Sequence, residues 1–320
     1  MENLENLEIV VVLDNQDILS RVCGANDGNL KTLETELGGR VCARGNEIRI
    51  EHTDAAVITR FKAVIDSLVA AARSGESPSS EYVTALAGTV EAAAPERDPI
   101  REAVIHIPSG FSRVYPRSGN QAQYIQGMRS CNISFCIGPA GTGKTYLAVA
   151  ESLRLILSKK IRKLVLTRPV VEAGESLGFL PGDLAQKINP YVRPLYDAME
   201  SLVPFEVIHR LEDMRAIEIA PLAYMRGRSL NDSIIILDEA QNTTKEQMKM
   251  FLTRLGQGSR SIITGDITQI DLPKRVDSGL IHAVSLLKNI EGIHFSYLHT
   301  TDVVRNVLIK KIIQAYDNEK

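Results

Sequence analysis

The stretch GPAGTGKT at residues 138–145 decides the fold of this 320-residue chain. It matches the pattern G-x-x-x-x-G-K-[ST], in which backbone N–H groups surround phosphate oxygens at the start of a helix. The preceding residues, SFCI at 134–137, predict a strand, and the pattern of 146–157 predicts a helix. We therefore expect a phosphate-binding loop made by Gly138, Pro139, Ala140, Gly141, Thr142, Gly143, Lys144 and Thr145.

Two side chains of this loop carry specific chemistry. The Lys144 ammonium is expected to neutralise the β- and γ-phosphates of a bound ATP. The Thr145 hydroxyl is expected to bind the accompanying Mg²⁺. ATP and Mg²⁺ are therefore the predicted cofactors.

An acidic pair follows a second apolar stretch, SIIIL at 233–237. A strand that ends there places Asp238 beside the metal and Glu239 within reach of an attacking water. A P-loop phosphotransferase must exclude water and has little use for such a carboxylate base. The pair therefore favours ATP hydrolysis over a small-molecule kinase.

A third apolar stretch, at 261–264, is followed by the polar residues GDITQ at 265–269. Ligands of open α/β sheets bind at the carboxyl ends of the strands, which is where these residues are expected. Gln269 is then a sensor of the γ-phosphate, because its amide can hydrogen-bond both phosphate and water. The alternative is an ordinary polar turn.

Six short apolar stretches in the second part of the chain predict strands that alternate with helices. Continuous apolar strands indicate burial on both faces, hence a mainly parallel sheet covered by helices. The fold class is therefore α/β. The predicted strands are 134–137, 163–167, 217–220, 233–237, 261–264 and 294–298.

The first seventy residues predict a separate small α+β domain with the element order βααββα, which is the layout of a KH-type RNA-binding domain. The predicted elements are a strand at 7–13, helices ending near 23 and spanning 29–37, strands at 41–44 and 47–51, and a helix at 55–72.

The loop between the first two helices, 24–28, departs from the KH pattern. Its second glycine falls one position late, and Asp27 adds a negative charge where RNA phosphate would approach. A small dimerisation or docking module remains the alternative.

Proline-rich and small-residue segments set the expected domain boundaries. We expect a KH-like domain at 1–73, a linker with a short helix and a strand at 74–115, and a P-loop domain at 116–320.

Composition restricts the partners and the location. A net charge of −2 does not make the whole molecule a basic nucleic-acid binder, so RNA needs a local patch. One candidate is Lys159–Lys163, whose alternative is a solvated turn. The four cysteines form no CxxC pair and the six histidines no ligand cluster, so no metal-dependent nuclease centre is visible. Without a long apolar run or signal peptide, no membrane association and a cytoplasmic location are expected.

The motifs together resemble the PhoH-like family of ATPases. They are GPAGTGKT, DEAQ at 238–241, GDITQ, TRP at 167–169 and RGR at 226–228. The resemblance implies a single RecA-like core, similar to that of superfamily-1 helicases, and a branch of the family that carries a KH-like domain. It also implies that Gln121 reads adenine and that Tyr124 packs nearby.

The arginines have separate expected roles. By the resemblance, Arg168 meets the RNA backbone, and a structural salt bridge is the alternative. Arg305 or Arg228 would be the arginine finger that stabilises charge on the transferring phosphoryl group. Because the chain has one core, a neighbouring subunit would supply this finger. A closed homo-oligomeric ring, for instance a hexamer, follows as a hypothesis.

These features predict a Mg²⁺-dependent ATPase that couples hydrolysis to RNA binding and remodelling. The alternative is an ATP-gated RNA-binding or adaptor switch that serves a separate endoribonuclease and unwinds nothing. The glycine-rich segment 172–182 is expected to be a mobile loop that responds to nucleotide.

Overall fold

The computed structural model describes residues 7–13, 15–89, 99–108, 111–169, 184–273 and 275–303. The chain folds into two compact units. The first comprises Met1–Val104 and Tyr115–Ala122, and the second comprises Ile105–Val114 and Gln123–Lys320.

Residues 7–73 of the first unit have the predicted element order βααββα. The three-stranded sheet of this unit is antiparallel, with the third strand in the centre. Ile48 and Ile50 of that strand face the core and are fully buried. The elements are β1 (Leu7–Val12), α1 (Gln16–Cys23), α2 (Gly28–Leu37), β2 (Arg40–Arg44), β3 (Glu47–His52) and α3 (Ala55–Arg73).

The loop between α1 and α2 forms a short 3-10 turn over Ala25–Asp27. Asn26 and Asp27 both have positive φ, at 52° and 56°. The buried amide of Asn29 donates hydrogen bonds to the carbonyls of Val22 and Pro78, at 2.9 and 3.0 Å. The Asn29 side chain therefore joins the end of α1 to the segment that precedes the helix at Ser80–Thr89.

The expected linker contains a helix that belongs to the first unit. This helix, α4 (Ser80–Thr89), packs against α2 and α3. Tyr82 and Leu86 are buried in the same core cluster as α3, and the Tyr82 ring lies 5.4 Å from that of Tyr115. The polar composition of 74–80 predicted an exposed connection, whereas the apolar residues after it add to the core. A short helix, α5 (Pro99–Glu102), follows.

The second unit alternates strands and helices. All six predicted strands of its main sheet are present, with bounds within one residue of the prediction. The elements are β4 (Ile105–His106), β5 (Arg113–Val114), α6 (Gly119–Ser130, of which the residues from Gln123 onward belong to this unit), β6 (Ile133–Ile137), α7 (Lys144–Leu157), β7 (Lys163–Thr167), α8 (Leu184–Glu200), α9 (Phe205–Asp213), β8 (Ile217–Ile219), β9 (Ser233–Leu237), α10 (Lys245–Leu252), β10 (Arg260–Gly265), α11 (Gly279–Leu287) and β11 (Ile293–Tyr297).

The main sheet is parallel throughout, in the order β11-β6-β10-β9-β7-β8. All five residues of β9 are buried, as expected for a central strand covered on both faces. This confirms the α/β fold with a RecA-like core. Because the strands are parallel, the carboxyl ends of β6, β10, β9 and β7 lie side by side at one edge, where ligands of such sheets bind.

The basic segment Lys159–Lys163 lies at the amino ends of the parallel strands. It leads into β7, whereas the P-loop follows β6, so the segment and the P-loop lie at opposite ends of the strands. Lys163 pairs with Glu218 at 2.5 Å. In the part of the chain that the structure describes, no helix is long and apolar enough to cross a membrane.

A buried ion cluster lies along α7. The Glu151 carboxylate is fully buried and pairs with Arg154 at 2.5 Å and with Arg129 at 3.4 Å. A buried carboxylate without such partners would be costly, so this cluster is part of the core.

Candidate nucleotide-binding site

The phosphate-binding loop occupies the turn between β6 and α7. Gly143 has φ 84° and ψ 10°, a conformation that residues with a Cβ rarely adopt, and it precedes the first residue of α7. A Cβ on Gly138 would lie 2.5 Å from the carbonyl oxygen of Leu298, so only glycine fits there. Thr142 closes the loop by donating to the Pro139 carbonyl at 2.8 Å.

The loop forms one wall of a cavity of about 260 Å³. Residues from the ends of β9 and β10 form the facing wall, so all three predicted motifs meet here. The lining residues are Ala140, Gly141, Gly143, Lys144, Thr145, Tyr146, Asp238, Glu239, Gly265, Asp266 and Gln269.

The Lys144 ammonium lies inside the loop. It donates to the carbonyl oxygens of Gly138 and Pro139 at 2.6 and 2.8 Å. Burial lowers the pKa of Lys144 below its usual value, and the nearby anionic groups oppose that shift. Phosphate oxygens are negatively charged and are stronger hydrogen-bond acceptors than these carbonyls. The Lys144 ammonium can therefore exchange its carbonyl acceptors for the phosphate oxygens of a nucleotide.

The Asp238 carboxylate, 2% exposed at the end of β9, is the centre of the site. Its Oδ1 accepts hydrogen bonds from the hydroxyls of Thr145 at 2.8 Å and Thr264 at 2.6 Å. Its Oδ2 accepts from Arg168, with the Nε atom at 2.9 Å and Nη2 also in contact. The structure therefore brings together the two residues predicted to hold the metal.

Arg168 has the salt bridge that was the alternative to its expected contact with RNA. Its side chain is 15% exposed and pairs with Asp238. The reason is the strand order: β7 and β9 are neighbours, so the residue after Thr167 meets the residue after Leu237. Adjacency of these two strands is not visible in the sequence.

Glu239 faces the cavity from a strained backbone position, with φ at 54°. Its side chain is 45% exposed, and Oε1 lies 3.9 Å from Arg168 Nη2. Its Oε2 accepts a hydrogen bond from Gln241 Nε2 at 2.7 Å. The candidate base is thus oriented by a neighbouring amide and remains accessible to water.

Gln241 is a site residue that sequence reasoning missed. The residue is 1% exposed, and its side chain also joins the loop after β10. Nε2 donates to the Gln269 carbonyl at 3.0 Å, and Oε1 accepts from the Asp266 N–H at 2.9 Å. The sign in the sequence was an amide two residues after the acidic pair, in the motif DEAQ.

The loop that carries Gln269 is held at two further points. The Asn242 side chain accepts from the Asp271 N–H at 2.8 Å and donates to its carboxylate at 3.3 Å. Asp266 Oδ1 accepts from the N–H and the hydroxyl of Thr268, at 2.9 and 2.7 Å. These bonds fix the loop that places Gln269 in the cavity wall.

The residues predicted to read adenine are both buried. Gln121 belongs to the first unit, where its Oε1 accepts from the Arg117 N–H at 2.7 Å. Tyr124 is fully buried in the second unit, and its hydroxyl donates to the Lys144 carbonyl at 3.4 Å. Burial raises the pKa of Tyr124 well above its usual value. Tyr124 thus supports the start of α7, and the adenine contacts remain predictions.

The finger candidates have structural partners or lie outside the described residues. Arg228 forms a bidentate pair with Glu218, with N–O distances of 2.6 and 2.9 Å. Arg305 and the glycine-rich segment 172–182 lie outside the described residues.

The loop, its lysine and the Thr145–Asp238 pair on a parallel sheet define a P-loop NTPase. A family model described as "PhoH-like protein" matches residues 113–317. The chain belongs to the PhoH-like family.

Curated relatives cover most of the chain. A PhoH-like protein of Bacillus subtilis is 45% identical over 308 residues, 96% of each chain. One of Mycobacterium tuberculosis is 46% identical over 94% of this chain and 85% of its own. Protein PhoH of Escherichia coli is 39% identical over 76% of this chain and 68% of its own. A crystal structure of the Pif1 helicase from Candida albicans aligns with 62% of this chain and 42% of its own, at TM-score 0.32 and 15% identity.

Proposed function

We propose that this protein is a Mg²⁺-dependent ATP hydrolase that couples hydrolysis to the binding and remodelling of RNA. The observation that carries the proposal is the meeting of Thr145, Asp238 and Glu239 at one cavity beside the P-loop lysine. The donor set fits Mg²⁺, which prefers hydroxyl and carboxylate oxygens and keeps several waters.

Each residue has a distinct part in the proposed reaction. Lys144 leaves the loop carbonyls and binds the β- and γ-phosphates. Thr145 and Asp238 would hold Mg²⁺, which would withdraw charge from the phosphates. Glu239 takes the proton of the attacking water, while Gln269 hydrogen-bonds the γ-phosphate.

The pairing of Arg168 suggests how nucleotide and RNA are coupled. In the structure Arg168 neutralises Asp238. A metal ion near Asp238 would compete with the guanidinium for the same carboxylate. Arg168 would then become available to an RNA phosphate when Mg²⁺ and ATP bind. The βααββα unit is the proposed second contact with RNA.

Two variants test the site. Lys144→Ala should abolish ATP binding and turnover, because the phosphates lose their principal cation. Glu239→Gln should bind ATP normally but hydrolyse it about 10²- to 10⁴-fold more slowly, as expected for loss of a general base. Phosphate release and equilibrium binding of an ATP analogue measure the two effects. Unchanged hydrolysis by Lys144→Ala would refute the assignment of the site.

An ATP-gated adaptor for a separate endoribonuclease is the second candidate. The hydrogen bonds of Gln241 favour it, because they join Glu239 to the Gln269 loop and can transmit the state of the nucleotide without any unwinding. ATP-dependent opening of an RNA duplex by the purified protein would exclude this candidate. Nucleotide-dependent RNA affinity without opening would support it.

The arginine finger is proposed to come from a neighbouring subunit in a closed ring. Arg228 is held by Glu218 of its own chain, which leaves Arg305 as the proposed finger. Mass measurement in solution with a non-hydrolysable ATP analogue tests the ring, and a monomer alone would contradict it.

A further inference from the structure

One carboxylate oxygen in the nucleotide cavity, Asp266 Oδ2, is without a hydrogen-bond donor from the described residues. Asp266 is 4% exposed, and its Oδ1 is held by the N–H and the hydroxyl of Thr268. Among the residues that the structure describes, no donor lies within hydrogen-bond distance of Oδ2, which is itself buried. The residue lines the cavity. A buried anionic oxygen without a partner is costly, so it indicates a ligand that is present in the working state.

The neighbouring carboxylate, Asp238, has hydrogen-bond donors at both of its oxygens. Its two oxygens accept hydrogen bonds from Thr145, Thr264 and Arg168. Asp266 follows β10 and therefore lies at the end of the strand between the strand that precedes the P-loop and the strand that precedes Asp238.

Charge limits what can occupy this position. A triphosphate in the cavity would repel the carboxylate of Asp266 unless a cation or its bound water lay between them. Lys144 already has partners, first the loop carbonyls and then, in the proposed reaction, the phosphates. The Thr268 bonds prevent Asp266 from turning away.

We propose that Asp266 Oδ2 accepts a hydrogen bond from a water molecule on the Mg²⁺ that accompanies ATP, which makes Asp266 a positioning residue of the metal site. The contact is through water because Mg²⁺ at nucleotide sites is bound by few protein oxygens and keeps several of its waters. This inference rests on the proposed function and adds a residue to its metal site.

The test is nucleotide binding without turnover. A fluorescent, non-hydrolysable ATP analogue is titrated by anisotropy against the wild type and Asp266→Asn, in EDTA and at stepped Mg²⁺ concentrations. The matched control is Asp277→Asn, which removes one charge from an exposed carboxylate paired with Lys245.

The order of affinity of the wild type and Asp266→Asn for the analogue should reverse between EDTA and Mg²⁺. In EDTA, Asp266→Asn should bind the analogue at least as tightly as the wild type, because one charge that repels the phosphates is gone. With Mg²⁺ it should bind more weakly, and its half-saturating Mg²⁺ concentration should rise about 10- to 100-fold, as for lost outer-sphere partners of metals. Asp277→Asn should behave as the wild type in both conditions.

Two results would overturn the inference. An unchanged Mg²⁺ midpoint would remove Asp266 from the metal site. Weaker binding by the same factor in EDTA and in Mg²⁺ would assign its carboxylate to the fold of the loop instead. Failure of the proposed function looks different, since Lys144→Ala would then bind the analogue as well as the wild type.

Discussion

Replacing Gln241 by leucine should damage both stability and hydrolysis. Leucine has a similar volume, so the change removes hydrogen bonds without leaving a large cavity. The buried N–H of Asp266 loses its acceptor at 2.9 Å, which costs about 1–3 kcal/mol. The lost donor to the Gln269 carbonyl adds about 0.5–1.5 kcal/mol, and Glu239 is exposed enough for water to replace its partner. The free energy of unfolding should fall by about 1.5–4.5 kcal/mol.

The same change should lower kcat by about 10- to 100-fold. Glu239 would lose the amide that orients its carboxylate, and small misplacements of catalytic groups have effects of this size. Affinity for ATP should change little, because Lys144 and Thr145 are untouched. Urea-induced unfolding, steady-state phosphate release and analogue binding measure the three quantities.

Gln247→Leu is the matched control for Gln241→Leu. The Gln247 Oε1 atom accepts a capping hydrogen bond from the Thr244 N–H at 2.9 Å. Among the described residues, Gln247 forms no hydrogen bond with Glu239. Its loss should cost about 1 kcal/mol and leave kcat unchanged. If Gln241→Leu were no less stable and no slower than Gln247→Leu, the proposed orientation of Glu239 by Gln241 would be refuted.

Two further predictions concern the ion pairs. Glu151→Gln should lower the free energy of unfolding by about 2–3 kcal/mol in urea titrations, because two partly buried arginines lose their shared charge. Glu218 has a pKa lowered to about 2, first by its hydrogen bond with Arg228, from a usual value of 4.5. Its stabilising effect, about 1–2 kcal/mol after allowance for solvent screening, is therefore complete above pH 4.5 and lost as the pH falls towards 2. The stability difference between wild type and Arg228→Ala should shrink over that range.

The strands and the site motifs were predictable because local sequence determines them. Continuous apolar stretches such as 233–237 have few alternatives to a buried strand, and the P-loop pattern carries its own flanking elements. The meeting of Thr145 and Asp238 followed from the rule that parallel strands end at one edge.

Features that depend on strand order or side-chain packing were not predictable. Arg168 meets Asp238 only because β7 and β9 are neighbours, which no local pattern encodes. Gln241 belongs to the DEAQ motif, but its bonds to the loop after β10 depend on two distant segments coming together. Composition predicts a linker around helix α4 because it does not indicate which surface Tyr82 packs against.

The most direct test of the central claim is the rate of ATP hydrolysis with and without single-stranded RNA. We predict that the wild type releases phosphate in a Mg²⁺-dependent way, that RNA raises this rate, and that Lys144→Ala releases none under either condition. An equal wild-type rate with and without RNA would contradict the coupling, and absence of phosphate release in all conditions would contradict the hydrolase itself.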